Sequence, residues 1–197
     1  MRHLFLSVSL GDDLPRDLNQ PGRGPNQVGF EYSFIVPDGH NMFPANYNEN
    51  GAIYGGHTHY ESEVEAITRL GYKLLRHRPI GKWENRRPDE EIGATLADKA
   101  DAFIEASQEQ PFFLYYPTCS IHFPLIPDPR FVGKSGIGPH GDYVLEFDWA
   151  VGRVMETLDR LGLADNTILI VTSDNGGYEP GGYHGTIVDS PHDPTHP

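Results

Sequence analysis

Apolar positions return at helical intervals in two stretches of the chain. Between residues 89 and 109, Ile92, Leu96, Ala100, Phe103 and Ile104 recur every three or four positions, which predicts an amphipathic helix. From Asp142 to Leu161, Val144, Phe147, Val151, Val154, Met155, Leu158 and Leu161 mark one face of a longer helix, and Gly162 supplies a C-terminal stop. Two further apolar runs lack that period. Phe112-Phe113-Leu114-Tyr115-Tyr116 follows the helix-ending Pro111 and predicts a short buried strand. Thr167-Ile168-Leu169-Ile170-Val171-Thr172 is β-branched and uninterrupted, the pattern of a strand covered on both faces. Strand, long helix and strand in that order predict a βαβ unit, hence an α/β fold with a parallel sheet.

The rest of the chain is less regular. Met1 to Leu10 predicts a strand or an unstructured start. Gly11-Asp12-Asp13 stands where a secretory signal would carry a small-residue cleavage site, so no export signal is expected. No run approaches the roughly 20 apolar residues that span a membrane. Residues 11–58 are punctuated by Gly, Pro and Asn and predict loop, and a loop of that length is commonly functional. No internal repeat, low-complexity tract or domain boundary stands out.

Composition narrows the class. The 197 residues carry 15 Lys and Arg against 28 Asp and Glu, a formal charge of −13, which argues against a nucleic-acid partner. Ten Phe, ten Tyr and two Trp suffice for a core although the hydrophobic fraction is only 38%. A single cysteine, Cys119, excludes an internal disulfide framework and an all-cysteine zinc site, and leaves the compartment open.

Candidate chemistry lies where the strands end. Ser173-Asp174-Asn175-Gly176-Gly177 follows the second run directly, and ligands of open parallel sheets bind beyond the carboxyl ends of strands. A carboxylate beside a neutral amide oxygen suits a hard cation such as calcium or magnesium. The same residues also suit a turn that merely closes a strand. His122, in Ile121-His122-Phe123-Pro124, stands just past the first strand and is placed for acid or base work. A loop histidine bonded to backbone is the alternative. Cys119 has His122 nearby but no evident third group to make it a nucleophile.

Taken together, these segments resemble the sulfatase family of the alkaline-phosphatase superfamily. The resemblance rests on Pro111–Pro117, His122-Phe123-Pro124, Gly141–Asp148, Leu163–Thr167 and Ser173–Gly177, in that order and spacing, with Val28–Phe34 upstream like the family's Gly-Phe-Asp-Tyr segment. It covers about residues 10–197, with the middle poorly matched. The resemblance implies an incomplete alkaline-phosphatase-like fold, a mostly parallel sheet flanked by helices. It implies that residues 1–197 are the middle of a catalytic domain hydrolysing sulfate esters, with a sulfated small molecule or glycan as substrate. Asp174 and Asn175 match two ligands of a divalent cation, usually calcium. His122 matches a histidine that contacts the sulfate and assists the leaving group, and His40 lies near a substrate contact. Alternatives are a non-catalytic module binding a cation or sulfate, and a phosphoester hydrolase of the same superfamily.

Part of the family pattern has no counterpart. The formylglycine nucleophile is made from Cys or Ser in a Cys/Ser-x-Pro/Ala-x-Arg motif, which occurs nowhere in this sequence. The family's first metal-binding aspartate pair and its Gly-Lys-Trp-His motif are also lacking. Asp12-Asp13 and Gly81-Lys82-Trp83-Glu84 imitate these out of order, so neither is assigned a role. His57, His59, His192 and His196 sit in Pro-, Gly- and Asp-rich surroundings and are read as solvated loop histidines.

Overall fold

A computed structural model of the protein describes residues 2–8, 24–36, 47–54, 73–74, 88–122, 125–175 and 188–189. Outside the described residues lie Asp12, Asp13, His40, His57, His59, Gly81–Glu84, Phe123, Pro124, Gly176, Gly177, His192 and His196.

The opening run is a strand. β1 (Arg2–Val8) lies between β2 (Tyr32–Val36) and β6 (Phe112–Tyr115) and pairs in parallel with both. β3 (Tyr47–Glu49) joins the free edge of β2 antiparallel, and β4 (Ala52–Tyr54) folds back on β3, giving the order β4-β3-β2-β1-β6. Elsewhere β5 (Lys73–Leu74) pairs with β7 (Val188–Asp189). Residues 11–58 therefore contain strands as well as loop. The β3–β4 turn is Asn50-Gly51 with φ of 51° and 86°. Both central residues of a type I′ turn need positive φ, and Asn-Gly is the pair that tolerates it best. Asn50 also ties the turn to its surroundings, since its Oδ1 accepts the Ser33 amide at 2.9 Å and the Asn26 amide group at 3.2 Å.

Helix α1 (Ile92–Ser107) begins after Pro88 with Asp89, Glu90 and Glu91 in its entry turn, where negative charge complements the helix dipole. The predicted stripe is its buried face. Ile92, Leu96, Ala100 and Ile104 are at most 1% exposed and pack with Phe34, Val36 and Tyr47 of the sheet. Burying each Leu, Ile or Phe side chain contributes about 1.5–3 kcal/mol. Above the hairpin, the Lys99 ammonium lies 4.1 Å from the Tyr54 ring, 4.4 Å from Phe34 and 2.8 Å from Glu49. Burial, and its hydrogen bond to Glu49, push the neighbouring Tyr32 phenol up to about 12.

Helix α2 (Pro139–Arg160) starts with Pro at its first position and packs along α1. It ends as the glycine predicts. Gly162 adopts φ 68°, its amide donates to Asp159 at 3.0 Å, and the Leu163 amide donates to Leu158 at 2.9 Å, the pairing of a Schellman cap. The buried face differs from the expected one. Val144 and Met155 are 41% and 50% exposed, whereas Asp142, Tyr143, Glu146, Ala150 and Thr157 are buried beside Val154 and Leu158. A stripe drawn through apolar residues alone is rotated away from the true face, because half of that face is polar.

The helix pair meets through charge. Asp101, 9% exposed on α1, accepts from Arg153 Nε at 2.9 Å and from Thr157 Oγ1 at 3.0 Å, while Arg153 also reaches Asp98 at 3.0 Å. One turn on, Arg160 pairs with Glu105 at 2.6 Å in solvent.

Two strand expectations need correction. β6 alternates half-buried and exposed positions, with Phe113 and Tyr115 nearly half exposed, and is not a fully buried run. Thr167–Thr172 belongs to no ladder, and residues 168–172 are exposed. Its side chains are those of a central strand, but among the described residues no strand lies alongside to take up its backbone groups and cover it. The predicted βαβ unit is therefore not closed.

The ion pairs should separate by burial. Arg153→Ala leaves the Asp101 carboxylate with one remaining side-chain donor, so it should cost about 2 kcal/mol. Arg160→Ala removes an exposed pair and should cost under about 0.5 kcal/mol. Urea unfolding of both variants checks this, and equal losses would contradict it.

Candidate functional site

The site region begins where β6 ends. After Tyr116 and Pro117 the chain turns tightly, with Thr118 Oγ1 donating to the Ser120 carbonyl at 2.7 Å and the His122 amide donating to the Cys119 carbonyl at 2.9 Å. Cys119 is 2% exposed and lodged in the core, whereas the His122 side chain is exposed. Cys119 is thus packing, while His122 faces solvent at the end of a sheet strand. Burial holds the Tyr116 and Tyr143 phenols well above their ordinary range, so both are neutral at physiological pH.

The next loop is gripped by two carboxylates of α2. Asp142, fully buried, accepts the Gly133 amide at 2.7 Å and the Ser135 amide at 2.9 Å. Glu146, 2% exposed, accepts the Asp128 amide at 2.8 Å. Its other oxygen presses on α1 at Gly93, where a Cβ would stand 1.8 Å from Oε1. No larger residue fits there without displacing the carboxylate. Arg130 stacks over the Trp149 ring at 3.9 Å and closes the outer side.

Asp174 and Asn175 stand together beyond Thr172, both exposed, with Asn175 Nδ2 donating to Asp174 Oδ2 at 2.7 Å. A crevice shared with His122 would need a strand at Thr167–Thr172 running parallel to β6, and that pairing is not formed. Calcium takes about six to eight oxygen ligands. Two adjacent side-chain oxygens fall well short of that, and among the described residues no group of three or more His, Cys, Asp or Glu could hold a metal. These residues by themselves do not fit the cation.

The contribution of Asp142, Tyr143 and Glu146 was not foreseen from sequence. Its signal is the spacing Tyr143, Glu146, Ala150, Val154, Thr157, which has helical period only when the polar positions are included.

The sulfatase family model matches residues 27–196. The chain belongs to the sulfatase family. Among its relatives, N-acetylgalactosamine-6-O-sulfatase of Bacteroides thetaiotaomicron is 35% identical, over 92% of this chain and 40% of that protein. Human arylsulfatase H is 40% identical over 61% of this chain and 21% of its own length. A solved structure described under the metabolism of multiple glycosaminoglycans by Bacteroides thetaiotaomicron superposes with a TM-score of 0.68 at 31% identity, covering 84% of this chain and 41% of that one. This sulfatase chain thus spans well under half the length of the relatives it matches, and its sheet and helices are a portion of the sulfatase fold. No helix among the described residues is long and apolar enough to cross a membrane.

The buried glutamate gives the fold a pH dependence. Burial, with a smaller contribution from the Asp128 carboxylate, raises Glu146 from the usual 4.5 to about 7, against the pull of the Asp128 amide and Arg130. The folded state therefore holds a proton that the unfolded chain releases near 4.5. Stability falls as pH rises from about 4.5 to about 7 and levels off above. Glu146→Gln keeps an acceptor for Asp128 and abolishes this titration. Its melting temperature relative to the parent should be higher at pH 8 than at pH 5, and the same difference at both values would contradict the assignment.

Proposed function

We propose that the complete protein hydrolyses sulfate esters and that residues 1–197 are part of its catalytic domain. The family match over residues 27–196 carries this reading. The relatives' names favour a sulfated glycan as substrate, with a sulfated small molecule as the alternative. Hydrolysis of such an ester releases sulfate and an alcohol, and the departing oxygen needs a proton. His122, exposed past the end of β6, is the group we assign to it. Asp174 and Asn175 are assigned as two ligands of a divalent cation, calcium by family resemblance, whose remaining ligands lie outside the described residues. His40 is assigned as a substrate contact. The formylglycine motif has no counterpart here, so no step is derived through that group or through the cation.

Two constructions of the experiment separate whole from part. The longer reading frame that contains residues 1–197 should release sulfate from N-acetylgalactosamine 6-sulfate, and His122→Ala should lower turnover by about 100-fold or more. Residues 1–197 alone should show no turnover of a chromogenic aryl sulfate with or without calcium, since loss of a hydrolase nucleophile costs on the order of a millionfold. Turnover by residues 1–197 that disappears in Cys119→Ala would place the nucleophile in this chain and overturn the reading. Sulfate or calcium binding without hydrolysis by the longer protein would favour a binding module instead.

A further inference from the structure

β6 and Thr167–Thr172 stand at the two ends of one crossover. β6 closes the sheet order, so among the described residues its edge away from β1 is open. Phe112 and Leu114 pack against the core, while Phe113 and Tyr115 on the opposite face stay nearly half exposed. Thr167–Thr172 carries no charge. Ile168 and Ile170 are 88% and 79% exposed, and Leu169 and Val171, on the alternate face, are exposed as well. The start of this run is nonetheless fixed. Thr167 is already extended, with φ −122° and ψ 132°, and its Oγ1 donates to the Leu163 carbonyl at 2.8 Å.

The helix between the two is also open on one side. Val144 and Met155, about three turns apart and therefore on the same side of α2, are exposed. A Cβ added at Gly152 would meet no atom within 4 Å. A crossover helix buries its apolar side against the strands it connects. Uncharged apolar side chains on both faces belong to a strand with neighbours at both edges. β6 and Thr167–Thr172 could pair with each other directly, and they do not. A third strand placed between them gives each a neighbour and gives α2 a surface to cover. Residues 1–197 have no such strand left to supply. Their other uncharged apolar runs lie in β1, β2 and β6, and the stretches outside the described residues hold none of comparable length. The chain spans only 40% of the N-acetylgalactosamine-6-O-sulfatase it matches, so a sulfatase polypeptide has ample further length to provide one.

We propose that an uncharged β-strand from the sulfatase polypeptide outside residues 1–197 inserts between β6 and Thr167–Thr172, pairing with both and lying under the open side of α2. This rests on the reading of residues 1–197 as part of a longer catalytic domain.

Amide exchange compares residues 1–197 with the longer protein that contains them. In the longer protein the amides of Ile168–Val171, and those of β6 that point away from β1, should exchange about 100-fold or more slower than in residues 1–197. Ile170→Lys should leave the melting temperature of residues 1–197 unchanged, because that side chain is in solvent, and should lower that of the longer protein. If the longer variant fails to fold, Ile170→Thr keeps the β-branch and should show the same contrast more weakly. Free exchange at Ile168–Val171 in the longer protein, or an equal effect of Ile170→Thr on both lengths, would overturn the proposal. The pairs Tyr115→Cys with Ile170→Cys and Phe113→Cys with Ile168→Cys should form no disulfide in the longer protein. A disulfide in either would put the run directly beside β6 and overturn the insertion. Protection of Ile168–Val171 in a dimer of residues 1–197 would make a second copy the occupant and overturn it too. Turnover is a separate readout. A longer protein that protects these amides but releases no sulfate fails the hydrolase reading alone, and one that releases sulfate with these amides unprotected fails the inserted strand alone.

Discussion

Helix α2 turns into the protein a face that carries two carboxylates, a phenol and a hydroxyl. A buried polar group without a partner costs about 1–3 kcal/mol, and a buried charge costs more. The helix can sit there only if its surroundings supply partners on every side. They do so in sequence along the helix. Asp142 takes the amides of Gly133 and Ser135, Glu146 takes the amide of Asp128, and Thr157 meets Asp101 of α1 beside Arg153. The requirement to satisfy this one face orders the loop that leads into α2 and sets the contact between the helices. Glu146 shows how tight the arrangement is, because it leaves room on α1 for glycine alone at position 93.

The site follows from that frame. α1 lies on the sheet through its apolar stripe, α2 lies on α1, and the turn after β6 is caught between strand end and helix. Cys119 anchors the turn in the core, and His122 stays exposed. The division of labour is chemical. Cys119 and Tyr143 are desolvated, and the imidazole is left exposed.

Much of this was legible where one physical effect dominates. The α1 stripe, the Gly162 cap and the strand after Pro111 depend on burial period or local backbone geometry, and all three stand in the structure. The family was legible because several short segments recur in order. The Asn50-Gly51 hairpin was also written in the sequence as a local signal, but the surrounding Gly and Pro masked it as loop. The face of α2 was not legible from apolar residues, since it is selected by partners far away in the chain. Thr167–Thr172 is the opposite case. Its composition fits a central strand, yet a strand is made by its neighbours, and no described strand lies alongside it. Asp174 and Asn175, placed by that segment, inherit the same dependence.

Amide hydrogen exchange on residues 1–197 tests the central claim most directly. If the polar face of α2 organises the loops, the amides of Asp128, Gly133 and Ser135 should be protected like those of α2 itself, although they lie outside any helix or strand. The amides of Ile168 to Val171, in the segment with the highest strand propensity, should exchange at the rate of unpaired chain. Rapid exchange at Asp128, Gly133 and Ser135, with strong protection at Ile168–Val171, would contradict the account.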